Sequence, residues 1–256
     1  VQLTHARLTL KLGRQPLVFG NGWLSKPFNL ISPFSHAVVD TENAPGVDAF
    51  SVKASLWKGA DVTIAISYLG DLKYIEFWTP NRTNATFYGE FAIGPANLSL
   101  FTAANQGDHI FGAGTFAEMH SVQFHADLTW TLADQWLEIK RNDDHFRFVS
   151  GLKWNPRNHL GLRTEFYYQS LGEEVPRLYL STNALVPYQR GELFLMGRRY
   201  MMAAVDYAFG PKAKASIQGV VNLIDVSSML SPTLTLAVSE NSQLKIGAFL
   251  GFGEES

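Results

Sequence analysis

The chain has 256 residues, no cysteine and a net charge of −2. Disulfides, thiolate metal sites, a cysteine nucleophile and covalent c-type haem attachment are therefore excluded within it, and no Lys/Arg run offers an electrostatic footprint for nucleic acid. Aromatic residues make up 13% with 18 Phe and charged residues 17%, against about 25% charged in an ordinary soluble domain, so much of the surface has no need to face water.

Residues 2–13 alternate, with Ala6, Leu8, Leu10 and Leu12 against His5, Arg7, Thr9 and Lys11, the period of a strand. Gly13-Arg14-Gln15-Pro16 bends it, because Pro cannot donate to a ladder and Gly tolerates a bulge. The long segment 21–46 then carries Trp23, Leu24, Phe28, Leu30, Ile31 and Phe34 among three prolines. Leaving each of these side chains in water forfeits roughly 1.5–3 kcal/mol, so the segment packs on something. We expect it to fold into the lumen as a constriction, with Trp23, Phe28 and Phe34 as its bulk; clamping over the rim or against a neighbouring protomer is the alternative.

Residues 47–57 return as a strand with Phe50, Val52, Ala54 and Leu56 on one face. Lys58-Gly59-Ala60-Asp61 turns it, and Val62, Ile64, Ile66 and Tyr68 alternate with Thr63, Ala65 and Ser67. Residues 70–85 read as a loop with a short strand at 74–78. Phe87, Gly89, Phe91 and Ile93 mark the next strand, and Gly94-Pro95-Ala96-Asn97 is a strong turn signal. Residues 98–104 rise from it, and 106–120, rich in Gly, read as a loop in which 111–116 could extend the sheet. Val122, Phe124, Ala126, Leu128 and Trp130 then alternate with Gln123, His125, Asp127, Thr129 and Thr131, followed by a shorter strand at 136–140.

The clearest hairpin spans 145–169. Phe146, Phe148, Leu152 and Trp154 share one face of its first half, and Leu160, Leu162, Thr164, Phe166 and Tyr168 one face of its second, on either side of Asn155-Pro156-Arg157-Asn158. Residues 170–197 form another long loop. Met201, Ala203, Val205, Tyr207 and Phe209 share a face, Gly210-Pro211 turns the chain, and strands at 214–223, 234–238 and 244–250 follow.

The halves of these hairpins approach the roughly 9–11 residues of a tilted membrane-crossing strand, longer than the usual 5–6. Tight turns alternate with longer loops, as in outer-membrane barrels. No apolar run reaches the about 18 residues of a transmembrane helix. The expected fold is all-β: a single antiparallel transmembrane β-barrel over 1–256, about 13 strands visible out of 14–16, with at least one C-terminal strand missing because such barrels have even counts.

Leu10-Lys11-Leu12-Gly13-Arg14-Gln15-Pro16, with Phe19-Gly20-Asn21-Gly22, Pro27-Phe28-Asn29-Leu30 and Ser32-Pro33-Phe34 after it, resembles a pattern in porin-like outer-membrane barrels of Gram-negative bacteria. Asn222-Leu223-Ile224-Asp225, with Ser227, Leu230 and Pro232, resembles their late-strand motif. Ser25-Lys26-Pro27 departs from the Asn-Pro of that pattern. The resemblance implies an outer-membrane location, contact with membrane lipid and lipopolysaccharide, and passage of small solutes.

No chemistry-bearing motif competes with this reading. The His residues lack metal-ligand spacing, Asp143-Asp144 and Glu173-Glu174 read as solvated loop charge, and no Gly-x-Ser-x-Gly elbow occurs; no catalytic residue, metal or cofactor is expected. A barrel of this width leaves water inside. The residues expected to line it are Arg7, Lys11, Lys53, Glu90, His125, Asp127, Arg147, Lys153, Arg163, Glu165, Asp206, Lys214 and Lys245, a set in which cations exceed anions and which favours anions in transit. The expected function is a passive channel for small hydrophilic solutes, as monomer or homo-oligomer. The rival is a structural sleeve holding a partner protein, such as a multihaem cytochrome, in its lumen. A soluble sandwich or lipocalin-like binder is the third reading.

Overall fold

The computed structural model describes residues 1–29, 46–68, 83–133, 144–182, 185–239 and 242–253. The strands expected at 74–78 and 136–140, and Phe34, lie outside these residues. Among the described residues one antiparallel sheet contains β1 (Gln2–His5), β2 (Leu8–Gln15), β3 (Val47–Trp57), β4 (Ala60–Tyr68), β5 (Thr83–Ile93), β6 (Ala96–Asn105), β7 (Asp108–Met119) and β8 (Val122–Leu132). It continues through β9 (His145–Arg157), β10 (Leu160–Gln169), β11 (Arg199–Ala208), β12 (Ala213–Asn222), β13 (Ser228–Ser239), β14 (Ser242–Gly247) and β15 (Leu250–Phe252).

Every strand pairs with its neighbours in sequence, from β1 through β14. β15 also pairs with β13, so β14 and β15 are two parts of one interrupted strand. Among the described residues no pairing joins β1 to β14.

The polarity of this sheet is inverted relative to a soluble one. On β8 the large apolar side chains Phe124, Leu128 and Trp130 are exposed, whereas His125, Asp127, Thr129 and Thr131 between them are buried. The same alternation holds for Phe50, Ile64, Phe87, Leu100, Phe111, Leu152, Met201 and Val205, all exposed on the outer face. An apolar band on one face and polar groups on the other is the pattern of a barrel wall between lipid and a polar interior.

Three elements differ from the sequence expectation. Residues 2–13 are not one strand: β1 and β2 form a hairpin closed at Ala6-Arg7, with His5 opposite Leu8 and Ala6 at a φ of 50°. Neither turn residue is Gly or Pro, and the alternation runs through the turn without a break. The stretch 106–120 is no loop, since β7 pairs along its whole length with β6 and β8; its glycines leave room for groups inside the barrel. Finally, β9 extends past Pro156 to Arg157, with a register shift against β10 between Leu160 and Leu162, because a bulge accommodates a proline that a regular ladder would not. The loop 170–197 includes short helical turns at Pro176–Leu178, Tyr179–Thr182 and Val186–Gln189.

Candidate functional site

Polar side chains and two inserted segments meet inside the barrel. Segment 16–29 leaves the end of β2, where Gln15 donates from Nε2 to the Ala49 carbonyl (2.9 Å) and accepts from Ser51 Oγ (2.7 Å). The segment then packs against the wall. Leu17, Phe19 and Phe28 form one apolar cluster with Ala49, Ala65, Phe101, Ala103 and Ile110. Leu24 joins a second with Val149, Tyr167, Tyr200, Met202, Ala204 and Val220, against which Trp23 and Leu195 also pack. Full burial of Leu17, Leu24 and Phe28 stabilises the insertion by roughly 1.5–3 kcal/mol each.

Between the two clusters the chain turns its backbone amides toward strand carboxylates. Asp127 on β8 accepts from the N–H of Asn21 (2.6 Å), from Asn21 Nδ2 (3.0 Å) and from the N–H of Gly22. Glu165 on β10 accepts from the N–H of Trp23 (2.5 Å) and of Leu24 (2.6 Å). Successive amides aimed at an anion form a favourable concavity, and hydrogen bonds to a charged acceptor contribute about 1.5–3 kcal/mol each. The two buried carboxylates thus act as posts for the segment.

Strand register explains how the posts reach it. His125 and Glu165 both stand opposite Gly151, one on each neighbouring strand. Alternate strands are about 10 Å apart, and the missing Cβ of Gly151 lets the two side chains meet over it, Nε2 to Oε2 at 2.8 Å. A Cβ at Gly151 would lie 2.5 Å from the His125 ring and 2.9 Å from Trp23. The Trp23 ring stands edge-on to His125 with centroids 4.3 Å apart. Gly114 in the same way makes room for Asp127, and Gly112 for Phe28, whose ring stacks on Phe101 at 5.0 Å.

The second insertion comes from residues 185–197. Asn105 donates to Glu192 Oε1 (2.8 Å), and Arg190 pairs with Asp108 (2.7 Å) and donates to the Gln106 carbonyl (3.1 Å), so the β10–β11 connection reaches the β6–β7 turn. Gln169 donates to the carbonyls of Leu195 and Gly197. Burial pushes the Glu192 carboxyl above its usual range, with Arg147 and Arg190 opposing. Arg147 on β9, wholly buried, ties both insertions together by donating to the Pro27 carbonyl (2.8 Å) and the Glu192 carbonyl (3.4 Å).

The residues expected to line the lumen therefore divide into groups. His125, Asp127, Arg147 and Glu165 point inward and are covered by the inserted segments. Lys11 and Lys53 border an open recess of about 360 Å³ with Thr9, Ser51 and Thr63. Lys53 pairs with Asp61 at 2.9 Å. Arg163 and Lys214 share Asp206, at 3.0 and 3.5 Å, and the Arg163 guanidinium lies 6.0 Å from the Trp23 ring centre. Lys153 stands opposite Arg163 in register. Glu90 and Lys245 are partly buried on β5 and β14. Arg7 lies in the β1–β2 turn, where its side chain donates to the Leu56 carbonyl and its own carbonyl accepts from the Ser55 amide of β3. Trp23 and Phe28 lie inside the barrel.

Asp108, Arg190 and Glu192 were not singled out in the sequence, and Asn21 and Asp61 entered only as members of a motif and a turn, not as site residues. The inward-facing glycines on β7 and β9 were the available signal, since Gly within a strand marks a close approach.

This geometry defines a class, the transmembrane β-barrel of porin type with segments folded into its lumen. No protein-family model matches the sequence, and no curated protein matches it. Among solved structures, Pseudomonas aeruginosa OpdL is similar with a TM-score of 0.66 and 11% identity, over 98% of this chain and 75% of that one. A BenF-like porin from Pseudomonas fluorescens Pf-5 is similar with a TM-score of 0.65 and 10% identity, over 100% and 72%. Acinetobacter baumannii OccAB2 aligns with a TM-score of 0.62 and 12% identity, over 98% and 70%. The chain has the fold of porin-type outer-membrane β-barrels.

Proposed function

We propose that this chain is an outer-membrane channel for the passive diffusion of small hydrophilic solutes, with modest preference for anions. Its fold-level likeness to porins supports the channel reading, and an inner wall of charged side chains behind an apolar outer face carries it. Segment 16–29, with Trp23 and Phe28, is the constriction. Anion preference rests on Lys11, Lys53, Lys153, Arg163 and Lys214, whose positive charge exceeds that of their partners Asp61 and Asp206; fixed charge of one sign favours the opposite ion. The lumen space taken by the chain's own segments favours a channel over a sleeve around a separate protein.

The test is reconstitution into a planar bilayer under a salt gradient. Steady open-channel current with a reversal potential on the anion side is expected. Clear cation selectivity would refute the anion preference, and purification with a stoichiometric haem protein in place of channel activity would favour the sleeve.

A further inference from the structure

Segment 16–29 carries a single charged side chain, Lys26. From Leu24 to Asn29 every other residue is buried, whereas Lys26 keeps part of its surface open. Inside a barrel, open surface on an inserted segment faces the water of the lumen. The backbone that carries this side chain is held on both sides: the Leu24 amide donates to Glu165 at 2.6 Å, and the Pro27 carbonyl accepts from Arg147 at 2.8 Å. The Lys26 carbonyl itself accepts from the Asn29 amide at 2.9 Å.

The charges around Lys26 are already committed elsewhere. Asp127 accepts from Asn21 and Gly22, and Glu165 from Trp23, Leu24 and His125. Both carboxylates are buried, and among the described residues Lys26 forms no ion pair with either. Partial burial lowers the pKa of its ammonium, an effect that the charges of Asp127 and Glu165 oppose. Arg147, beside Pro27, is the other cation facing these carboxylates; Arg163, near Trp23, pairs with Asp206, which Lys214 shares. The second insertion has its own set, Arg190 against Asp108 and Glu192. Whatever the state of His125, removing Lys26 shifts the charge of the constriction by one unit toward negative. A part-buried cation without a direct partner is costly, and a place on the path of the solute accounts for that cost.

We infer that Lys26 is the specificity-determining charge of the constriction: its ammonium stands in the permeation path and sets the preference for anions there. The inference rests on the channel reading and deepens it, because the wall cations Lys53, Arg163 and Lys214 share their charge with Asp61 and Asp206, whereas the Lys26 ammonium remains open to a passing anion. A unit charge about 7 Å from the path changes ion occupancy by about threefold in water, and the effect is largest at low salt.

The test uses Lys26→Cys, which introduces the only thiol of the chain, in planar bilayers under a low-salt potassium chloride gradient. The ratio of anion to cation permeability is expected to fall by about threefold against wild type and to be kept in Lys26→Arg. A thiosulfonate reagent bearing a quaternary ammonium should then restore the wild-type reversal potential, and one bearing a sulfonate should move it further toward the cation side. Mass spectrometry counts the modification, and heat-modifiable migration confirms that each variant is folded. A thiol that neither reagent reaches in the conducting channel, or a reversal potential indifferent to the charge attached, would overturn the inference. A wild-type barrel that carries no steady current would sink the channel reading itself, whereas a conducting, anion-preferring barrel whose reversal potential ignores position 26 would sink only the role of Lys26.

Discussion

Glu165 and Leu24, 141 residues apart in sequence, meet inside the barrel, where Glu165 Oε1 accepts the Leu24 amide at 2.6 Å. Its other oxygen takes the Trp23 amide and His125. A lumen carboxylate that binds backbone amides is spent on holding a segment and is not offered to a passing ion. Glu165→Gln keeps the shape and removes the charge, so docking of 16–29 should weaken by about 1.5–3 kcal/mol. Single-channel records should then show frequent steps to a larger conductance; a record as quiet as that of wild type would contradict the role of Glu165.

Gly112 tests the same segment from the wall. A Cβ there would come within 2.6 Å of Phe28 Cε1, while Val is at home in a strand. Gly112→Val should leave the barrel folded and displace Phe28 at a cost of about 1–3 kcal/mol. Limited proteolysis reads this out, with cleavage within 16–29 faster in the variant.

Arg147 couples the two insertions, because its donors reach both Pro27 and Glu192. Arg147→Met removes these bonds and leaves two buried carbonyls without them, the stronger loss being about 1.5–3 kcal/mol at Pro27. Hydrogen exchange should rise together in 16–29 and 185–197. A rise in one segment alone would show that they dock independently.

Glu192 gives a pH dependence. Its carboxyl is raised by burial in the docked loop, so docking favours its protonated form. The corresponding stabilisation is fully present below the ordinary carboxylate range and is lost as pH rises through the raised value. Hydrogen exchange in 185–197 should slow as pH is lowered toward that range, after correction for intrinsic exchange, and Glu192→Gln should flatten the dependence. An unchanged pH profile in Glu192→Gln would contradict the assignment.

Much of this was legible in the sequence because period-two alternation is local. The hairpin at 145–169 and the strand at 122–132 display their two faces residue by residue. The apolar content of the segment after β2 also indicated packing, since Trp23, Leu24 and Phe28 have no reason to stay in water. What the sequence hid was relational. The partners Asp127 and Asn21, or Asn105 and Glu192, are far apart along the chain, and no spacing rule joins them. β7 read as a loop because Gly112 and Gly114 weaken strand propensity, and their purpose is visible only once Phe28 and Asp127 occupy the space. Ala6-Arg7 escaped notice because a turn without Gly or Pro leaves no local mark.

The most direct measurement of the central claim is the single-channel conductance of a barrel from which residues 24–44 have been deleted, compared with wild type in the same bilayer. If the segment after β2 is the constriction, conductance rises several-fold while the barrel remains heat-modifiable and folded. Unchanged conductance in that folded deletion variant would contradict it.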